Sequence, residues 1–178
     1  MSGPDEYDQM VARNFEPYSV QHRQLYHTIA QFLRGKPATI LEIGTGIGYG
    51  LRLMLHNNCI SAYLGIEPSE KCFKYINQIY DVPLMNKGFM ECEIKEKFDF
   101  TVCIEVIEHI DNINLIEWFR KMLEHTKEAA FVSTPDRLTD EHGFFTKEEV
   151  QEAMYEAGFK HVVKIEWQKP HTLFIGEV

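Results

Sequence analysis

Apolar residues along this chain alternate between two spacings, short continuous runs and stretches at helical intervals. Leu25, Ile29, Phe32 and Leu33 recur every three or four positions and predict an amphipathic helix over Tyr18–Leu33, ended by Gly35 and Pro37. A β-like run at Thr39–Ile43 follows, then a helix from Tyr49 to Leu55 and a second strand at Ala62–Ile66. Pro68-Ser69-Glu70 opens a helix with Cys72, Phe73, Ile76, Ile79 and Tyr80 on one face, and a short third strand lies at Leu84–Asn86. Phe98–Ile104 and Ala129–Val132 read as strands whose unbroken hydrophobicity suits a sheet covered on both faces. Between them Leu115, Ile116, Phe119, Met122 and Leu123 mark a helix. Val150, Ala153, Met154 and Ala157 mark the last one, stopped by Gly158. His161–Trp167 and Thr172–Ile175, split by Lys169-Pro170, close the chain as a hairpin.

Strands alternating with helices imply an α/β fold, a doubly wound and mostly parallel sheet with helices on both faces. Five such strands plus an antiparallel C-terminal hairpin give seven, with the final strand antiparallel inside the sheet. The 178 residues are read as one domain, 1–178, with 1–37 an N-terminal lid and helix segment and 38–178 the ligand-binding core. Tyr7, Phe15 and Tyr18 are candidates for folding over a ligand, and Thr134–Thr146 is the longest candidate lid loop.

Composition narrows the partners. A 44% hydrophobic and 25% charged chain is ordinary globular material, and no apolar stretch is long enough to cross a bilayer. Met1-Ser2-Gly3-Pro4-Asp5-Glu6 lacks the basic-then-apolar order of a signal peptide, so a cytoplasmic location is expected. Cys59, Cys72, Cys92 and Cys103 occur singly, which fits reduced thiols rather than a disulfide framework or a zinc site. A net charge of −9 weighs against grasping nucleic acid through its phosphates and favours a small-molecule partner. Nothing in the pattern bears on oligomeric state.

The first strand ends abruptly in Gly44-Thr45-Gly46-Ile47-Gly48-Tyr49-Gly50. Glycines are needed where a backbone turns sharply after a strand and lies close to a ligand, and the N–H groups opening the next helix favour polar or anionic groups. About twenty residues later the second strand ends in Glu67, a carboxylate spaced to accept hydrogen bonds from ribose hydroxyls. A dinucleotide fingerprint asks for glycine at the first, third and sixth positions of the turn, but the sixth here is Tyr49.

The pattern is instead G-x-G-x-G preceded by Glu42. Leu41-Glu42-Ile43-Gly44-Thr45-Gly46-Ile47-Gly48 resembles the first motif of the class I S-adenosylmethionine-dependent methyltransferases. The resemblance covers Tyr18 to Val178 and implies a seven-stranded Rossmann-like fold with S-adenosylmethionine as cofactor. It gives Glu42, Gly44, Thr45, Gly46 and Gly48 to the cofactor's methionine end and Glu67 with Pro68 to its ribose. Ligands of open α/β sheets sit beyond the carboxyl ends of the strands, which adds Gly88-Phe89, Glu105-Val106 and Ser133-Thr134. Gly88 and Phe89 take the family's adenine position, although the acid often found there is replaced by Phe89 or Met90, and core packing serves Phe89 equally well.

The string Glu105-Val106-Ile107-Glu108-His109 is the second candidate centre. On a helical turn Glu105, Glu108 and His109 would share one face. Two carboxylates and an imidazole suit either a divalent-ion site or a general base. The string resembles ubiquinone-biosynthesis O-methyltransferases and the enzymes that methylate the 2′-hydroxyl at small-RNA 3′ ends, both of which use a metal with a further ligand from a later loop. His142 is the residue here for that ligand. The reading adopted is metal-free: His109 acts as base with Glu108 beside it, because the string is shared with methyltransferases that bind no ion. His22, His27, His56, His125, His161 and His171 show no spacing that singles them out.

These features together predict transfer of a methyl group from S-adenosylmethionine to the oxygen or nitrogen of a small molecule. Metal-assisted 2′-O-methylation of an RNA 3′ end is the alternative within the class. A nucleotide-binding oxidoreductase and a non-catalytic cofactor-binding module are the alternatives outside it.

Overall fold

The computed structural model describes residues 20–110, 112–135, 145–166 and 171–178. The expectations for Tyr7, Phe15, Tyr18, His142, Trp167 and Lys169-Pro170, and for most of the candidate lid loop, lie outside the described residues. Contacts divide the chain into two units, Ser2–Glu93 and Ile94–Val178.

The first unit runs α1 (Val20–Phe32), β1 (Ala38–Ile43), α2 (Tyr49–His56), β2 (Ile60–Ile66), α3 (Glu70–Ile79) and β3 (Leu84–Met85), then a 3-10 turn at Phe89–Glu91. Ile40, Leu41, Glu42 and Ile43 of β1 are all buried, which is why this strand reads as an unbroken apolar run interrupted by one acid. β1 and β2 pair in parallel with Ile43 opposite Ile66, so the residues that follow, Gly44 and Glu67, leave the sheet side by side. β3 adds to β2 with Met85 opposite Ile66. Leu25, Tyr26, Ile29 and Ala30 form the buried stripe of α1, and Gly50, Leu51 and Met54 that of α2. The buried stripe of α3 is narrower than its periodicity suggests. Cys72 and Ile76 are buried, but Ile79 is exposed.

The second unit runs β4 (Phe98–Ile104), a 3-10 turn at Ile107–His109, α4 (Leu115–Glu124), β5 (Thr126–Pro135), α5 (Lys147–Ala157), β6 (His161–Glu166) and β7 (His171–Glu177). β4 and β5 are parallel, and β7 pairs antiparallel with both β5 and β6, so the last strand lies inside its sheet as expected. β5 begins three residues earlier than its hydrophobicity suggests. Exposed Lys127 and Glu128 hide the start, but Thr126 is buried and its hydroxyl lies 2.7 Å from that of Thr101 on β4. Each helix of this unit starts on a side-chain cap. Asn114 accepts from Ile116 and Glu117 N–H, and Thr146 accepts from Glu149 N–H while Glu149 accepts in return from Thr146 N–H. Seven strands, mostly parallel and with an antiparallel C-terminal pair, make the fold class the expected one.

Candidate functional site

In the unit Ser2–Glu93 the carboxyl end of β1 is built on three glycines in left-handed backbone, with φ of 73° at Gly44, 55° at Gly46 and 79° at Gly48. A side chain at any of these is strained, because L-residues other than glycine avoid this region. Gly44 and Thr45 N–H both donate to Ile66 C=O, which stitches the turn to the end of β2.

Glu67 joins the two ends. Its Oε2 accepts from Gly46 N–H at 2.7 Å and its Oε1 from Ser69 N–H at 2.9 Å, in a position only 3% exposed. The carboxylate thus shapes the turn through both of its oxygens, and a carboxylate at this place is the group type that accepts from ribose hydroxyls. The strand end is also held from the far side. Glu67 N–H donates to Met85 C=O, and Asn86 Nδ2 donates to the carbonyls of Glu67 and Pro68. Pro68 itself is exposed. Thr45 Oγ1 is buried and has no hydrogen-bond partner among the described residues, a polar atom left over inside the glycine turn. Its presence, the left-handed glycines and the acid beside them fit the methionine and ribose ends of S-adenosylmethionine.

Glu42 lies beneath the turn and is wholly buried. Tyr63 O–H donates to its Oε2 at 2.6 Å, while its Oε1 has no partner within hydrogen-bond distance among the described residues. Burial pushes its carboxyl up to about 7, with the hydroxyls of Tyr63 and Tyr26 drawing it back. A Cβ on Gly50 would collide with this oxygen and with the Tyr26 ring, so glycine as the second residue of α2 is what lets the acid sit there. Gly88 is half-buried and Phe89 is 2% exposed, so Phe89 packs in the core while Met90 beside it faces solvent.

In the unit Ile94–Val178 the Glu105–His109 string departs from the expected helical face. Glu105 takes left-handed backbone at φ 56°, and only a 3-10 turn, Ile107–His109, follows. Glu105 and His109 therefore do not stack one helical turn apart. Glu105 turns to two other elements: Ser133 Oγ on β5 donates to its Oε1 at 2.7 Å, and His171 Nδ1 at the start of β7 bonds its Oε2 at 2.9 Å. The Glu105 and His171 side chains are 8% and 10% exposed. Glu108 is buried with Oε2 unpartnered among the described residues. Burial, reinforced by Glu105, holds its carboxyl well above the usual range. His109 Nε2 is 3.9 Å from Glu108 and its side chain is 40% exposed. Val106 is half-buried between the two acids. Among the described residues no group of three or more His, Cys, Asp or Glu side chains is placed to hold a metal ion.

Tyr63, Asn86 and His171 were not singled out by sequence. Tyr63 and Asn86 act through strand pairing that no local spacing encodes. His171 meets Glu105 across 66 residues, and only the β5–β7 register brings them together.

The family described as methyltransferase domain matches residues 18–164 of the chain. No curated protein matches it by sequence. Among solved structures it is similar to an S-adenosylmethionine-dependent methyltransferase from Mesorhizobium loti, with TM-score 0.72, 11% identity, and 86% of this chain and 98% of that one covered. It is similar also to a Burkholderia thailandensis 1,6-didemethyltoxoflavin-N1-methyltransferase bound to 1,6-didemethyltoxoflavin and S-adenosylhomocysteine. There the TM-score is 0.72 at 14% identity, covering 99% of this chain and 91% of that one. The methyltransferase domain of bacterial CtHen1 gives 0.71 at 17% identity, covering 90% and 100%. Among the described residues no helix is long and apolar enough to cross a membrane. The chain belongs to the methyltransferase domain family, and its fold is the class I fold of S-adenosylmethionine-dependent methyltransferases.

Proposed function

We propose that this protein transfers a methyl group from S-adenosylmethionine to an oxygen or nitrogen of a small-molecule acceptor. The observation that carries the reading is the left-handed glycine turn with Glu67 hooked to Gly46 N–H at 2.7 Å. Gly44, Thr45, Gly46 and Gly48 receive the methionine end of the cofactor, Glu67 and Pro68 its ribose, and Gly88 its adenine end, with Phe89 packed in the core beside it. Glu42 supports the turn from below, and Glu105 and Val106 line the site at the end of β4.

The bound cofactor supplies a methyl group already activated on a sulfonium sulfur. The protein's share of the work is alignment of an acceptor lone pair, exclusion of water, and acceptance of the acceptor's proton where the nucleophile is a hydroxyl or an ammonium. With the cofactor bound, its sulfonium would give up the methyl group and leave as S-adenosylhomocysteine, and a base held by this chain would take the acceptor's proton. His109, with Glu108 beside it, is the base that the sequence points to. The Glu105 contact favours a second assignment, His171, an imidazole whose Nδ1 is held 2.9 Å from that carboxylate.

Calorimetry with S-adenosylmethionine, S-adenosylhomocysteine and NAD tests the cofactor, with binding of the first two and not the third expected. Release of S-adenosylhomocysteine is then followed across small hydroxyl and amine acceptors and an RNA 3′ end, with chelator and with added Mg²⁺ or Mn²⁺. Turnover of a small acceptor in chelator supports the reading. Turnover of the RNA end alone, dependent on Mg²⁺ or Mn²⁺, replaces it with the 2′-O-methylation alternative.

A further inference from the structure

A cavity of about 520 Å³ opens in the first unit, lined by Arg23 of α1 and by Tyr49, Arg52, Leu53 and His56 of α2. Its size is that of a small-molecule site. Tyr49, Leu53 and His56 follow one another at helical spacing with Arg52 beside them, so one outward stripe of α2 forms a wall opposite Arg23. The opposite stripe of α2, Gly50, Leu51 and Met54, is buried in the core. Tyr49 is held in place by an edge-on contact with the buried Tyr26, ring centres 6.0 Å apart. The cavity thus has a fixed aromatic ring and a leucine for an apolar body, with Arg23, Arg52 and His56 completing its lining. In a chain with 27 acidic and 18 basic residues, such a meeting of cations runs against the overall charge. No carboxylate among the described residues pairs with either arginine. Arginines beside an apolar wall complement a ligand that brings its own anion.

We propose that this cavity binds the methyl acceptor, and that the acceptor is a small molecule with a flat apolar body and an anionic group, carboxylate or phosphate. Tyr49 places the cavity immediately after the glycine turn, since it is the residue next to Gly48 and the first of α2. The identification of the ligand as acceptor rests on the methyl-transfer reading; the binding of an anion does not.

The probes are phenyl phosphate and benzoate, with phenol and benzamide as their neutral counterparts, titrated into the full chain and followed by calorimetry or amide chemical shifts. Each anion is expected to bind about tenfold or more tighter than its neutral counterpart. The Arg23→Gln, Arg52→Gln double variant should erase that preference while Lys36→Gln keeps it and the melting temperature stays unchanged. The better-bound anion names the group. Equal affinity for anion and neutral probe, no binding of any probe, or the same loss in Lys36→Gln overturns the site. S-adenosylhomocysteine is titrated into the same samples. Its failure to bind parent protein refutes methyl transfer and with it the acceptor role, whatever phenyl phosphate does. Its unchanged binding in the double variant, with turnover of anionic hydroxybenzoates reduced about tenfold or more, supports both.

Discussion

The acid beneath the glycine turn makes the stability of this protein depend on pH, and the sign follows from its burial. Glu42 is 0% exposed, and removal from water lifts its carboxyl from 4.5 to about 7. Tyr63 and Tyr26 oppose the lift and the nearby Glu67 charge adds to it, but desolvation wins. Below pH about 4.5 the folded and unfolded chains both carry this proton, and Glu42 contributes its full stability. Between that point and about pH 7 the unfolded chain releases the proton while the folded chain keeps it, so stability falls by about 1.4 kcal/mol per pH unit. Above the folded value the loss is complete, about 3 kcal/mol in all.

Glu42→Gln has nearly the same shape, can still accept from Tyr63, and has no proton to lose. Urea denaturation of both proteins should therefore show a stability difference that grows in favour of the variant from about pH 4.5 to about pH 8, by about 3 kcal/mol. Titrating groups that do not interact with Glu42 are common to both proteins and cancel in the difference. A difference that stays constant over that range would refute the argument, whatever its absolute size, because it would mean that Glu42 ionises alike in the folded and unfolded states.

Glu67→Ala should weaken S-adenosylhomocysteine binding about ten- to hundredfold by calorimetry, since a charge-assisted hydrogen bond is worth about 1.5–3 kcal/mol; unchanged affinity removes Glu67 from the site. Gly50→Ala should lower the urea midpoint by an amount worth about 1–3 kcal/mol although alanine is the better helix former, because the added carbon meets Glu42 and the Tyr26 ring; a stabilised variant would place that acid elsewhere. On an acceptor hydroxyl, loss of the true base should reduce kcat by about a hundredfold or more. His171→Asn and His109→Asn, compared with cofactor affinity held constant, decide between the two imidazoles, and full activity in both leaves alignment as the whole device.

The elements proposed for the cofactor side were legible as a turn and an acid because each is encoded locally. The β1 run, the three glycines and Glu67 follow one another within a single β-α-β stretch, and their order implies a sharp turn beside an acid; that the turn goes left-handed is seen only in the backbone. Illegible parts depend on register. Hydrophobicity could not show that β5 starts at Thr126, because its first exposed positions are Lys127 and Glu128, which are held by long-range contacts: Lys127 Nζ donates to Asp99 on β4 and Glu128 C=O accepts from Val178 N–H. The Glu105–His109 string looked helical by spacing, yet the chain needs Glu105 N–H to reach Ser133 C=O at the end of β5, and that bond sets the left-handed kink that separates Glu105 from His109.

That kink bears on what the string can do chemically. With helical geometry, Glu105, Glu108 and His109 would present three donors on one face, the arrangement that suits a divalent ion. With Glu105 turned aside, its two oxygens hold Ser133 and His171, and Glu108 is left in a buried position that favours its neutral form. A carboxyl that keeps its proton is a poor cation ligand but a competent hydrogen-bond donor, whereas a histidine tethered to a carboxylate is a competent base. The same five-residue string therefore supports different chemistry according to one backbone angle. Within this unit that angle directs Glu105 toward an imidazole contributed by β7, a strand distant in sequence that the spacing of the string itself does not reveal.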